Sequence, residues 1–269
     1  MQNIEKLVCE RRSVRTYDER KLSTDHLKRI HSFMAEIDNP WNIPVKFVLM
    51  DSKEHRLTCP VVVGTDLYVG GKISKIPHAE EAFGYSFEKL VLFAQSLGIG
   101  TVWLGGTMDR DAFERAMNLG ADEMMPCASA LGYPAQKMSM RESVMRKAIK
   151  ADSRISFEEL FFDGSFDTPL TQERAGKLTF PLEMVRLAPS AVNRQPWRIV
   201  VTDGSVHFYL RRGKFGAGTF DMQKIDLGIA LCHFALAAEE RGIDVSFVAS
   251  DPKIPAEDNL EYIASFQLV

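Results

Sequence analysis

The sequence predicts an α+β protein built from two related halves, residues 1–162 and 163–269. Three observations carry this. Segments whose apolar residues follow the 3.6-residue helical period alternate with short runs rich in branched and aromatic residues, bounded by Gly, Pro, Asn and Asp. Matching residues recur at a constant offset of 144: Gly84, Ala94 and Gly98-Ile99 answer to Gly228, Ala238 and Gly242-Ile243, each set running into a strand. Finally, Asp226 to Arg241 is apolar on nearly every face, which requires a helix buried between two layers.

Taken in order, residues 2–10 read as a short helix. Ser23-Thr24-Asp25 precedes Leu27, Ile30 and Phe33-Met34, an N-cap followed by one apolar face. Val45 to Met50 and Val61 to Val69 read as strands joined through Asp51 to Arg56, with Gly70-Gly71 closing the hairpin. Phe83 to Leu97 is a helix stopped by Gly98 and Gly100, Thr101 to Leu104 a strand, Asp111 to Asn118 a helix, and Cys127 to Leu131 a buried strand. A basic stretch follows, with Lys137, Arg141, Arg146, Lys147, Lys150 and Arg154, and a solvated helix face accounts for most of it. Asp163 to Gly176 is the best candidate linker. Beyond it lie a helix at Leu178–Leu187, a hairpin of Ile199–Thr202 and Val206–Leu210 around Asp203-Gly204, a glycine-rich, mobile-looking segment at 211–218, the buried helix, and strands at Val245–Ala249 and Ile263–Leu268.

Composition narrows the function classes. The chain has 269 residues, 45% apolar and 26% charged, an ordinary globular balance. With 33 basic and 36 acidic residues, a net charge of −3 and no long basic block, nucleic acid is not an expected partner. Cys9, Cys59, Cys127 and Cys232 lie far apart, and no His stands at ligand spacing, so neither a metal site nor a disulfide framework is indicated. The longest nearly unbroken apolar run, Leu227 to Ala238, is far short of the roughly 20 residues that span a bilayer. With no apolar core of signal-peptide length near the start, the expectation is a cytoplasmic protein with no membrane partner.

Two motifs carry chemistry. Arg11-Arg12-Ser13-Val14-Arg15-Thr16 places three guanidiniums and two hydroxyls in six residues, a local anion site, although a solvated basic turn has the same composition. Leu187-Ala188-Pro189-Ser190-Ala191-Val192-Asn193-Arg194-Gln195-Pro196-Trp197 is a rigid polar loop between helix and strand; an ordinary connection also favours Pro, Ser and Asn. At Leu104-Gly105-Gly106 the backbone can approach a flat ligand closely, or make a tight turn without one.

The order Ala-Pro-Ser-x-x-Asn-x-Gln-Pro-Trp, the Arg-Arg-Ser-x-Arg run, the Leu-Gly-x-Gly-Thr-x-Trp segment before paired glycines and a later Gly-Tyr-Pro together resemble the nitroreductase family over most of the chain. The first half resembles a nearly complete member and the second a shortened one. The resemblance implies a three-layer fold in which the two halves act as an internal pseudo-dimer, with FMN as cofactor. By that resemblance Arg11, Arg12, Ser13 and Arg15 contact phosphate, ribityl chain and pyrimidine edge, and Pro189, Ser190, Ala191 and Asn193 line the flavin from the other half. Leu104, Gly105 and Gly106 would offer backbone N–H groups near the nitrogen that receives hydride. Arg154 matches a late phosphate-binding arginine, and Lys150 substitutes for a basic residue absent at Asp152. Arg15 is the candidate for stabilising negative charge on the reduced ring.

The implied activity is transfer of electrons from NAD(P)H to a small planar acceptor such as a nitroaromatic or quinone. The alternatives are a flavin-binding protein without nicotinamide-driven turnover, or a specialised flavin-dependent dehydrogenase. The arginine run occurs only in the first half. The complete loop occurs only in the second, since residues 36–41 read Glu-Ile-Asp-Asn-Pro-Trp. One FMN per chain is therefore expected, with further self-association left open.

Overall fold

Ser23 caps the helix that follows it by accepting the His26 N–H at 3.1 Å, as the N-cap expectation requires. In the computed structural model, which describes residues 3–213 and 219–269, the helices are α1 (Ile4–Glu10), α2 (Thr24–Glu36), α3 (Ser52–His55), α4 (Ala79–Ser96), α5 (Arg110–Ala116), α6 (Met140–Ala148), α7 (Phe157–Leu160), α8 (Gln172–Ala175), α9 (Thr179–Leu187) and α10 (Met222–Glu240). The strands are β1 (Lys46–Asp51), β2 (Leu67–Ser74), β3 (Glu123–Met124), β4 (Ala128–Leu131), β5 (Phe161–Asp163), β6 (Trp197–Thr202), β7 (Ser205–Arg211), β8 (Val245–Val248) and β9 (Leu260–Leu268). The expected mixture of helices and sheets is present. By internal packing the chain forms two compact units, Glu10–Ala151 and the residues up to Cys9 joined by Asp152–Val269. Part of the glycine-rich segment expected at 211–218 lies outside the described residues.

In the first of these units β2 is the central strand. It pairs antiparallel with β1 from Lys46↔Lys72 to Asp51↔Leu67, and on its other edge with β4 and β3. Gly70 and Gly71 lie inside β2 and do not close a hairpin. The reason is steric: a Cβ on Gly70 would sit 2.5 Å from Met117 Sδ, and one on Gly71 would sit 2.8 Å from the Phe83 ring on α4. The expected strand at 61–69 likewise starts late. Asp51 accepts the Lys53 and Glu54 N–H groups and so nucleates α3, and the following residues run irregularly until β2. Thr101–Leu104 makes isolated bridges and no ladder: Thr101 with Ser13, Leu104 with Ala128, while the Val102 N–H goes to Ser129 Oγ at 3.0 Å. Helix α4 is buried along most of its length, with Phe83, Phe87 and Trp103 packed ring against ring.

The second unit holds a five-stranded sheet in the order β5-β6-β7-β9-β8, parallel between β5 and β6 and antiparallel elsewhere. The β6–β7 hairpin forms around Asp203-Gly204 as expected. Helix α10 has its side chains buried on all faces, among them Leu227, Ile229, Cys232 and Phe234, which is what an all-round apolar sequence requires. The candidate linker at 163–176 is ordered structure: Leu170 is buried with its N–H on Phe161 O, and Arg174 on α8 is ion-paired with Asp163. Leu170 is the apolar anchor that the linker reading overlooks. Helix α1 buries Ile4, Leu7 and Val8, and its first N–H is held by Glu240 at the end of α10.

Candidate functional site

The arginine run lies in an extended segment fixed on both sides: the Val14 N–H donates to Thr101 O at 2.8 Å, and the Tyr17 N–H to Val63 O at 2.9 Å. The alternation of an extended chain turns Val14 into the core and leaves the guanidiniums of Arg11 and Arg15 partly covered. Arg11, with a side chain 8% exposed, lies 4.0 Å from Glu88 on α4, whose other oxygen accepts the Trp103 indole N–H at 3.1 Å. Burial holds the Arg11 guanidinium below its ordinary pKa, with Glu88 working in the opposite direction and Arg146 adding to the depression. Arg15 is depressed first by burial, and Glu142 opposes this. Its Nε and Nη1 are buried with no hydrogen-bond partner among the described residues. A guanidinium placed this way is prepared for an acceptor supplied from outside the chain.

Arg12 has a different setting. Its Nη1 lies 2.6 Å from Oε1 of Glu142 on α6, a carboxylate with no exposed surface. The second oxygen of Glu142 accepts the Thr16 hydroxyl at 2.8 Å and the Arg15 N–H at 3.2 Å. Ser139 caps α6 by accepting the Glu142 N–H, and Thr16 Oγ1 accepts the Ser139 N–H. Glu142 therefore occupies Arg12 Nη1 and the Thr16 hydroxyl, two of the donors that make up the expected local anion site. It escaped the sequence reading because it stands in a basic stretch; the pattern Ser139-x-x-Glu142, which marks a helix start, was the available signal. Lys150, just past α6, has a left-handed backbone (φ 48°) and an exposed side chain.

At the glycine pair, the Leu104 N–H donates to Ala128 O at 2.9 Å, so it is not available to a ring as expected. The Gly105 carbonyl accepts Arg110 Nη2 at 2.5 Å. Gly106 is exposed, and a Cβ built on it would meet nothing within 4 Å, which leaves its backbone open to close approach. Ser13, half-buried, bridges to Thr101 in the same segment that leads to these glycines.

In the other unit the loop from Pro189 to Trp197 is held from within. Ser190 Oγ accepts the Gln195 N–H at 2.8 Å, Ser190 O accepts the Asn193 N–H at 3.0 Å, and Gln195 Oε1 accepts the Ile155 N–H at 3.0 Å. Val192, Asn193 and Gln195 all have positive φ, at 45°, 58° and 50°. Arg154 and Asn193, both expected site residues, meet here. Arg154 Nη1 lies 3.4 Å from Asn193 Oδ1, and its Nη2 donates to Leu187 O at 3.2 Å. Arg154 thus clamps the loop from Leu187 to Asn193. Asp226 on α10, which the sequence reading did not single out, accepts the Ala191 N–H at 2.9 Å. Pro189 and Ser190 are half-buried at the start of this turn.

The mixture of helices and sheets described above is a nitroreductase-like fold. The chain belongs to the family described as Putative TM nitroreductase, whose model matches residues 3–238. Among solved structures it is similar to a putative nitroreductase from Thermotoga maritima MSB8, at 21% identity over 99% of this chain and 93% of that one, with a TM-score of 0.63. It also matches an FMN-dependent nitroreductase from Clostridium difficile R20291 at 15% identity, covering 52% of this chain and 94% of that chain, with a TM-score of 0.42. A further match is an FMN and NADPH-dependent nitroreductase from Sphigopyxis sp. strain HMH, at 11% identity over 51% and 90% of the two chains and a TM-score of 0.43. No curated protein matches the chain significantly. Among the described residues no helix is long and apolar enough to cross a membrane.

Proposed function

We propose that the protein is an FMN-dependent oxidoreductase that takes reducing equivalents from NAD(P)H and delivers them to a small planar acceptor of the nitroaromatic or quinone type. The observation that carries this is Arg15, whose Nε and Nη1 are buried and have no hydrogen-bond partner among the described residues, in a chain of this family. Such donors fit the carbonyl and nitrogen edge of a flavin pyrimidine ring, and Gly106 leaves room beside a flat ligand. When bound, FMN supplies the two-electron chemistry itself.

The chain's residues bind and tune. Arg15 stabilises negative charge at the ring edge by preorganised electrostatics. Arg11, balanced by Glu88, and Ser13 contribute to the same face. Arg12, tied to Glu142, keeps the run in shape. Gly105 and Gly106 let the backbone approach the ring. Pro189, Ser190, Ala191 and Asn193 contribute from the loop that Arg154 clamps, and Lys150 adds positive charge near the phosphate. One arginine run and one complete loop favour one FMN per chain. The buried thiols of Cys59, Cys127 and Cys232 suit the reducing cytoplasm.

Anaerobic addition of NADH or NADPH to FMN-loaded protein tests the reading. Rapid bleaching of the flavin absorbance supports the enzyme. A flavin reduced by dithionite alone overturns it in favour of a flavin-binding protein.

A further inference from the structure

Asp226 is a buried acid for which the proposed chemistry has no use. It stands in the first turns of α10 with 2% of its surface exposed. Its Oδ1 accepts the Ala191 N–H at 2.9 Å, and its Oδ2 has no hydrogen-bond partner among the described residues. A carboxyl withdrawn from water is costly unless it answers a need of its surroundings. The need lies in the loop. Val192 holds a left-handed backbone at φ 45°, a conformation unfavourable for a β-branched residue that persists only where neighbouring contacts impose it. Ser190, Asn193 and Gln195 brace the turn from within, whereas Asp226 reaches it from a rigid helix.

We propose that Asp226 is the positioning residue of this loop: by taking the Ala191 N–H it holds the Ser190–Gln195 turn in the shape that receives a planar, carbonyl-edged ring. The proposal rests on the flavin reading above for the identity of the ring, and on the hydrogen bond alone for the positioning. Burial, with repulsion from Asp221 adding to it, drives the carboxyl well above the ordinary range, so a neutral acceptor suffices for the role.

The test compares Asp226→Asn, which keeps a neutral side chain with an acceptor oxygen, with Asp226→Ala, which removes the acceptor. Two readouts are taken on the full chain: amide hydrogen exchange at Ala191, and FMN affinity by fluorescence titration. Asp226→Ala is expected to speed exchange at Ala191 and weaken FMN binding by about tenfold each, and Asp226→Asn to stay within about threefold of the parent in both. Unchanged exchange and affinity in Asp226→Ala overturn the proposal. Equal impairment in the two variants also overturns it, because charge and not the acceptor would then be what counts.

If Asp226→Ala does not fold, Ala191→Pro removes the same hydrogen bond from the donor side. Ser190 is extended (φ −146°, ψ 162°) as a residue before proline must be, and Ala191 opens a short 3₁₀ turn where proline fits. This variant is expected to bind FMN about tenfold more weakly, and unaltered binding overturns the proposal. If the parent protein binds no FMN, the flavin reading fails, and the Ala191 exchange comparison still decides the positioning role.

Discussion

Glu142 Oε1 lies 2.6 Å from Arg12 Nη1, and the same carboxylate accepts from Thr16 and from the Arg15 backbone, so a side chain 130 residues away closes the arginine run. Truncating Arg12 strands a fully buried carboxylate. Arg12→Ala is expected to lower unfolding stability by roughly 2–4 kcal/mol, and the double variant with Glu142→Gln to recover about 1–2 kcal/mol of that. Urea unfolding of the two single variants and the double variant measures the coupling. Additive losses would show that the pair does not act as a unit.

Arg15 separates ligand binding from stability. Its Nε and Nη1 donate to none of the described residues, so Arg15→Ala is expected to weaken FMN binding about ten- to a hundredfold. Burying the guanidinium is itself unfavourable, so the variant should be at least as stable as the parent. Flavin titration alongside thermal unfolding checks both halves of this expectation, and a variant that loses stability without losing affinity contradicts it.

The glycines give an internal control. Gly64 has φ +84°, and a Cβ on it would lie 2.2 Å from Tyr17 O, so Gly64→Ala should cost roughly 3 kcal/mol or more. Gly106 has open space around it, and Gly106→Ala should leave stability within about 0.5 kcal/mol. If the ring packs against Gly106, that same substitution lowers FMN affinity. Unchanged affinity would remove Gly106 from the site.

Asp226 also makes stability depend on pH. Its carboxyl is raised well above the ordinary value of 3.8 in the folded protein, chiefly by burial, so from about pH 4 upward the folded state retains a proton that the unfolded state releases. The stability linked to that proton is complete below pH 4 and is lost as pH rises toward the native pKa, at up to about 1.4 kcal/mol per pH unit. Asn does not titrate. The stability of Asp226→Asn relative to the parent should therefore be greater at pH 8 than at pH 5 in paired urea unfolding curves, and a constant difference would show that the buried carboxyl keeps its ordinary pKa.

What the sequence discloses about this protein is what local chemistry determines. Helices α4 and α10 are legible because their apolar spacing is contained in the segments themselves, and the Ser190–Gln195 loop because Ser, Asn and Gln brace a turn over a few residues. Gly70 and Gly71 mislead because their reason lies in Met117 and Phe83, distant in sequence. Glu142 and Asp226 stay hidden for the same cause. A charge count over 137–154 records the excess of bases but not which acid is buried, and Asp226 in an apolar helix looks like a first-turn acid until Ala191 is seen on it.

Helix α1 is the earliest structured segment of the chain, yet it belongs to the unit completed by residues 152–269 and gives its first N–H to Glu240. In vectorial synthesis this helix must wait, with Ile4, Leu7 and Val8 unpacked, while Glu10–Ala151 can already condense. The wait follows from chain connectivity alone. Glu5 and Val269 line one groove together with Phe180 and Arg241, so a circular permutant that opens the chain at Cys9/Glu10 and appends the α1 residues after Val269 would make each unit continuous in sequence. Such a permutant should refold from denaturant faster than the native order, because the unit that holds α10 would no longer have to recover a helix from the opposite end of the chain.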